Sequence, residues 1–173
     1  MNVNHRHTLK PFLAAMLLAG TSASAFAADA DSEFLRTAAL AGNFEIQAAQ
    51  LARSHGTDPA VRQFAEAMLK EHTVMQSEIS ALATTTKIAL PATLDENRSD
   101  KLKELAEADK GKSFDEKYAD LMEDSHEEAL ELYSEAADDT KNPNILAYAT
   151  SALPNLKKHE AMARKLDRRD IAP

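Results

Sequence analysis

Three polar side chains, Glu45, His72 and His159, interrupt otherwise apolar helical stripes in this chain, and a fourth, His126, stands at the edge of one. A carboxylate and three imidazoles form a donor set for a transition metal, suiting Zn, Fe, Mn or Cu better than Ca. Ionisable groups in a core cost free energy unless they are paired, hydrogen-bonded or metal-bound. Glu123 stands three residues before His126, giving Glu-x-x-His on one helix face and a fifth candidate ligand. Glu127 and Glu160 also neighbour histidines, but on an ideal helix they lie about 100° round from them.

Other chemistries find no foothold. There is no Gly-rich phosphate loop, no G-x-S-x-G elbow and no H-E-x-x-H pair, so the sequence names no catalytic residue. Met68, Met75, Met122 and Met162 fall mostly at seam spacing and read as core filler rather than soft-metal ligands. The Asp/Glu-rich faces read as solvated helix surface. His55, beside a helix end, reads as a partner of the helix dipole.

The elements that must position the four residues are long helices. With only 4 Gly and 6 Pro in 173 residues, breakers are few; with 5% aromatic residues and no Trp, a β-sandwich or barrel is disfavoured. A first helix is expected over 31–53, with Phe34, Leu35, Ala38, Ala41, Gly42, Glu45, Ala48, Ala49 and Ala52 on one stripe and Gly56 as its stop. Asp58-Pro59 reads as a cap and first-turn proline for a second helix to about Ala83. Its seam Val61, Ala65, Met68, His72, Met75, Ile79, Leu82 alternates steps of four and three. Thr93 with Glu96 suggests a capping box for a short helix to about Ala108, and Ser113 with Glu116 a second box for a helix over 114–137. Asn142-Pro143 opens the last long helix, to about Leu166, in which Pro154 should introduce a kink. The short connections make two antiparallel hairpins, joined by the long link 84–112. Each of the four polar residues falls 12 to 17 positions into its helix, so all four share one mid-depth layer.

Residues 1–27 read as a signal peptide. His5, Arg6, His7 and Lys10 form a polar, positive start, Phe12 to Ala19 an apolar run, and Ala25-Phe26-Ala27 an A-x-A site, with cleavage expected before Ala28. The expected destination is the periplasm, with 28–173 as a single domain and no transmembrane segment after cleavage. Absence of cysteine excludes disulfides and thiolate metal sites. A net charge of −8 without a basic face argues against nucleic acid as a partner.

A series of pieces follows in order along the chain: Phe34-Leu35 through Ala38-Ala39 to Gly42 and Glu45; Ala52, Asp58-Pro59-Ala60-Val61 and Phe64-Ala65; Met68 with Glu71-His72; Leu90-Pro91; Phe114-Asp115 with Tyr118; His126 with Ala129; and Leu153-Pro154 with His159. In this pattern the chain resembles the bacterial family called domain of unknown function 4142. The resemblance covers about residues 31–168. It implies an exported, ferritin-like, all-α four-helix bundle whose typical Glu and His positions coincide with Glu45, His72, His126 and His159. A di-iron enzyme of that fold would carry Glu-x-x-His on two helices. Here only Glu123-x-x-His126 fits, because Leu69 and Leu156 stand three before the other two histidines. The expectation is therefore one transition-metal ion or none. The alternative is a non-enzymatic envelope stress protein that binds a protein partner through the helix in the long link, with a purely structural Glu/His layer.

Overall fold

The structure, a computed structural model, describes residues 21–167, with side chains described for 29–166. They form five helices and no strand: α1 (Thr21–His55), α2 (Pro59–Thr86), α3 (Glu96–Glu107), α4 (Lys112–Asp139) and α5 (Pro143–Asp167). No helix among the described residues is long and apolar enough to cross a membrane. The chain is an all-α helical bundle. α1 begins at Thr21, ten residues before the expected helix start at Asp31, so the end of the segment read as a signal peptide is helical here; residues 1–20 lie outside the described residues.

α1 packs along α2, α4 along α5, α1 along α4, and α2 more sparsely along α5, while α3 lies against α1 and α4. Neighbouring long helices run antiparallel. Phe34 meets Tyr133 near one end and Thr57 meets Asp115 near the other, so α1 and α4 oppose each other. His72 meets His159 while Tyr148 reaches Met75, so α2 and α5 do too.

The seams fall where periodicity places them, and they bury two apolar halves. One half gathers Phe34, Leu35, Ile79, Tyr133, Ile145 and Leu156; the other gathers Phe64, Met68, Leu105, Phe114, Tyr118 and Met122. Burying side chains of this size contributes about 1.5–3 kcal/mol each. The polar layer lies between the halves, because each histidine stands three or four residues from a buried neighbour of either half. Met68, His72 and Met75 show this on α2, Met122, His126 and Ala129 on α4, and Leu156, His159 and Ala163 on α5.

Helix ends obey the expected caps in part. Asp58 accepts from Ala60 N at 2.7 Å and Asn142 from Asn144 N at 3.0 Å. Gly56 is needed after α1, since a Cβ there would stand 2.6 Å from the Ala52 carbonyl oxygen. Two capping boxes are corrected. The short helix is capped by Asp95, which accepts from Arg98 N at 2.8 Å, rather than by Thr93. α4 starts at Lys112, after Gly111 at φ 104°, with no side-chain cap. Backbone carbonyls of Asp109 and Gly111 take the Phe114 and Asp115 N–H groups, so Ser113 has nothing left to cap. The Asp115 carboxylate is turned onto the α1–α2 turn instead, accepting from Thr57 N, Thr57 Oγ1 and Asp58 N. α5 runs through Pro154 as a continuous helix; lacking an N–H, Pro154 leaves the Thr150 carbonyl without its helical donor.

Candidate metal centre

Each long helix delivers one member of the layer. Glu45 from α1, His72 from α2, His126 from α4 and His159 from α5 are at most 2% exposed. The three imidazoles form a triangle with ring centroids 5.2 to 5.4 Å apart. A ring nitrogen from each lies within 4.8 Å of the other two, an arrangement that can hold a metal ion.

The hydrogen bonds fix which nitrogens face inward. Glu45 Oε2 lies 2.7 Å from His72 Nδ1, Glu71 Oε2 lies 2.8 Å from His159 Nε2, and the Met122 carbonyl oxygen lies 2.7 Å from His126 Nδ1. All three oxygens only accept, so each of these ring nitrogens must carry a proton and donate it. The remaining nitrogens are His72 Nε2, His159 Nδ1 and His126 Nε2, and in the neutral rings all three are lone pairs. Two of them, His72 Nε2 and His159 Nδ1, face each other at 3.2 Å, and His126 Nε2 is buried without a hydrogen-bond partner. Two lone pairs at that distance repel unless a cation sits between them. The cation is either a proton, which makes one ring an imidazolium, or a metal ion.

The electrostatics suit one such charge. Burial pushes the Glu45 carboxyl up, but His72 and His126 beside it and hydrogen bonds from His72 and Ser125 outweigh this and hold it down at about 2. Ser125 Oγ donates to Glu45 Oε1 at 2.7 Å. Burial disfavours the His72 imidazolium, yet the Glu45 carboxylate raises it above the usual imidazole range. Burial dominates at His126, which is lowered, and at His159, which falls to about 4. His72 is thus the ring that takes the proton when no metal does.

With metal–nitrogen bonds of about 2.0–2.1 Å, the ligand nitrogens of a tetrahedron stand about 3.3–3.4 Å apart; one pair of the triangle, His72–His159, stands at 3.2 Å, close to that spacing. Metal-bound histidines nearly always donate their other ring N–H to a carboxylate or backbone carbonyl, which orients the ring and raises its basicity. All three histidines here do so.

Sequence placement of the candidates holds for the three histidines as a cluster and changes for the two carboxylates. Glu45 joins the layer behind His72, with one oxygen on His72 Nδ1 and the other on Ser125 Oγ. Glu123 is not brought to the histidines: Arg164 Nε donates to it at 2.9 Å, and Arg164 also pairs with Glu127 and Glu160. That acidic trio carries its own cation, the guanidinium. Glu71 was missed as a partner of the site. As the neighbour of His72 it reads as helix surface, and only the facing level of α5 shows that its long side chain crosses to His159 and Lys158. Ser125 is buried on α4, and nothing in its residue type announces that its hydroxyl meets Glu45.

A search of curated proteins finds no match, and a search of solved structures finds none either. A family model does match, over residues 17–166, nearly the full chain including all five residues of the Glu45–Glu71–histidine network. The chain with this buried His/Glu layer belongs to the family described as Domain of unknown function (DUF4142).

Proposed function

We propose that the protein is an exported, ferritin-like helical bundle that binds one transition-metal ion through His72, His126 and His159. The observation that carries this reading is the set of three buried imidazoles whose outward nitrogens are all committed as donors, leaving three lone pairs to share one cation. Glu45, Glu71 and the Met122 carbonyl hold the rings in register. The all-imidazole set favours Zn, Cu or Fe over Mn, which prefers oxygen ligands. Three protein ligands leave a coordination position for a water or small molecule, and a metal held so acts as a Lewis acid. A carboxylate-bridged pair of irons does not fit, since Glu123 is held by Arg164 and no second Glu-x-x-His exists.

The ferritin-like assignment is supported by the two antiparallel hairpins and the single long link between them. Export to the periplasm is supported by the basic start, apolar run and A-x-A site of residues 1–27, leaving 28–173 as the mature domain. N-terminal sequencing of protein from the periplasmic fraction tests this: a start at Ala28 is expected, and retention of residues 1–27 contradicts it.

Elemental analysis of untagged protein, isolated without chelators, tests the metal reading. Near-stoichiometric Zn, Cu or Fe, lost in His126→Leu, is expected. His126→Leu is the informative variant because the Met122 carbonyl keeps its helical donor and the orphaned Nε2 disappears, so the fold survives. Protein that holds no metal and gains no thermal stability from any added divalent ion returns the layer to a structural, proton-bridged role.

A further inference from the structure

The three histidines are at most 1% exposed, so an ion must reach them through a specific opening. A cleft of about 670 Å³ lies between α2 and α5, the most sparsely packed pair of neighbouring long helices. Its α2 wall carries Lys70, Glu71, Val74 and Glu78, and its α5 wall carries Ser151 and Asn155. Glu71 is the one residue that lines this cleft and also bonds a histidine of the layer. Its side chain is 26% exposed, its Oε2 takes the His159 Nε2–H at 2.8 Å, and its Oε1 takes Lys158 Nζ at 3.3 Å. A 140 Å³ cleft beside α3 ends at Ser125, which touches Glu45 rather than a histidine, and a void that does reach His72, beside Glu45, is only 10 Å³ and holds no more than one water, too little to pass a hydrated ion. Pro154, also in the cleft, removes one hydrogen bond from the α5 wall.

We propose that a divalent cation enters and leaves the histidine site through the α2–α5 cleft, with Glu71 as the gate. The proposal rests on the metal reading above. Glu71 draws the hydrated ion into the cleft, its hydrogen bond to His159 opens, and the ring moves aside to pass the ion to His72 and His126. Exposed Lys158 closes the gate again by drawing Glu71 back across the seam. Glu78, exposed at the same mouth, adds attraction but touches no member of the site.

The test is stopped-flow uptake of Co(II) by metal-free full-length protein, read by the visible absorption of cobalt bound to imidazole nitrogens, with release followed after adding excess chelator. Val74→Trp combined with Ser151→Trp fills the cleft from two exposed positions without entering the core. Uptake and release both slow by about tenfold or more while the final absorption stays the same, since a blocked route alters both directions equally. Glu78→Lys is the gentler variant and keeps the test decisive if the double variant folds poorly. It slows uptake about fivefold at low ionic strength, and salt reduces the difference. Glu71→Gln keeps the shape but not the charge and slows uptake too; an unchanged rate overturns its part as gate. Wild-type rates in the cleft variants, with full cobalt binding, overturn the route and leave the site standing. No cobalt absorption even in the wild type overturns both the route and the metal reading.

Discussion

Glu45→Gln changes one buried charge and almost no volume. In the metal-free protein the carboxyl is held at about 2 by His72, His126 and Ser125, against an ordinary value of 4.5 in the unfolded chain. A shift of that size corresponds to about 3 kcal/mol of folding stability at neutral pH. The folded-state value is depressed, so the contribution is fully present above the unfolded value. It is lost as pH falls from about 5 towards 2, when the carboxyl protonates even in the folded state. The variant lacks the titrating group. Its stability deficit relative to wild type should therefore be about 3 kcal/mol at pH 6 and shrink towards zero near pH 2 to 3. Urea unfolding of both proteins, followed by far-ultraviolet circular dichroism in the presence of a chelator, measures this difference at each pH. A deficit below about 1 kcal/mol at pH 6, or one that stays constant down to pH 3, refutes the claim that Glu45 is an ionised partner of the histidine layer.

Other consequences follow from the same geometry. Zinc affinity should fall about tenfold per pH unit below the raised His72 value and level off above it, because binding displaces the one proton that His72 takes up; a competition titration across pH 5 to 8 with no slope contradicts this. His126→Leu should cost the metal-free protein less than about 2 kcal/mol, since losing an unpartnered buried nitrogen offsets the loss of its help to the Glu45 carboxylate; a larger loss in urea unfolding means that this nitrogen has a partner after all. Asp115→Ala should cost about 3 kcal/mol, or roughly 6–12 °C in melting temperature, because it strands the Thr57 and Asp58 N–H groups at the α1–α2 turn; a melt within 2 °C of wild type contradicts that role.

The helices and the polar layer were legible in the sequence because one rule governs both. Steps of three and four place Met68, His72 and Met75 on one face of α2, and Leu156, His159 and Ala163 on one face of α5, so a histidine in such a row must enter the core. What periodicity does not carry is reach across helices. Glu123 looked like a ligand because it is three residues from His126, yet three residues along a helix is also a turn away in height, and Arg164 on α5 claims it first. Glu71 looked like surface because it neighbours His72, yet it spans the α2–α5 seam to His159. Glu45 was placed at the right depth by periodicity, but its hydrogen bonds to His72 and Ser125 show only in the distances. Asp58 and Asn142 cap as expected, but the two capping boxes fail for local reasons: Asp95 rather than Thr93 caps α3 by taking the Arg98 N–H, and Gly111 turns the chain so that backbone carbonyls cap α4.

X-ray absorption at the metal edge of the zinc-loaded protein shows directly which atoms hold the ion. A shell of three imidazole nitrogens at about 2.0–2.1 Å is expected, with the multiple-scattering features of intact rings and one further light-atom ligand. A shell made only of oxygens would place the ion at the carboxylates of Glu123, Glu127 and Glu160 instead and rule out the histidine site.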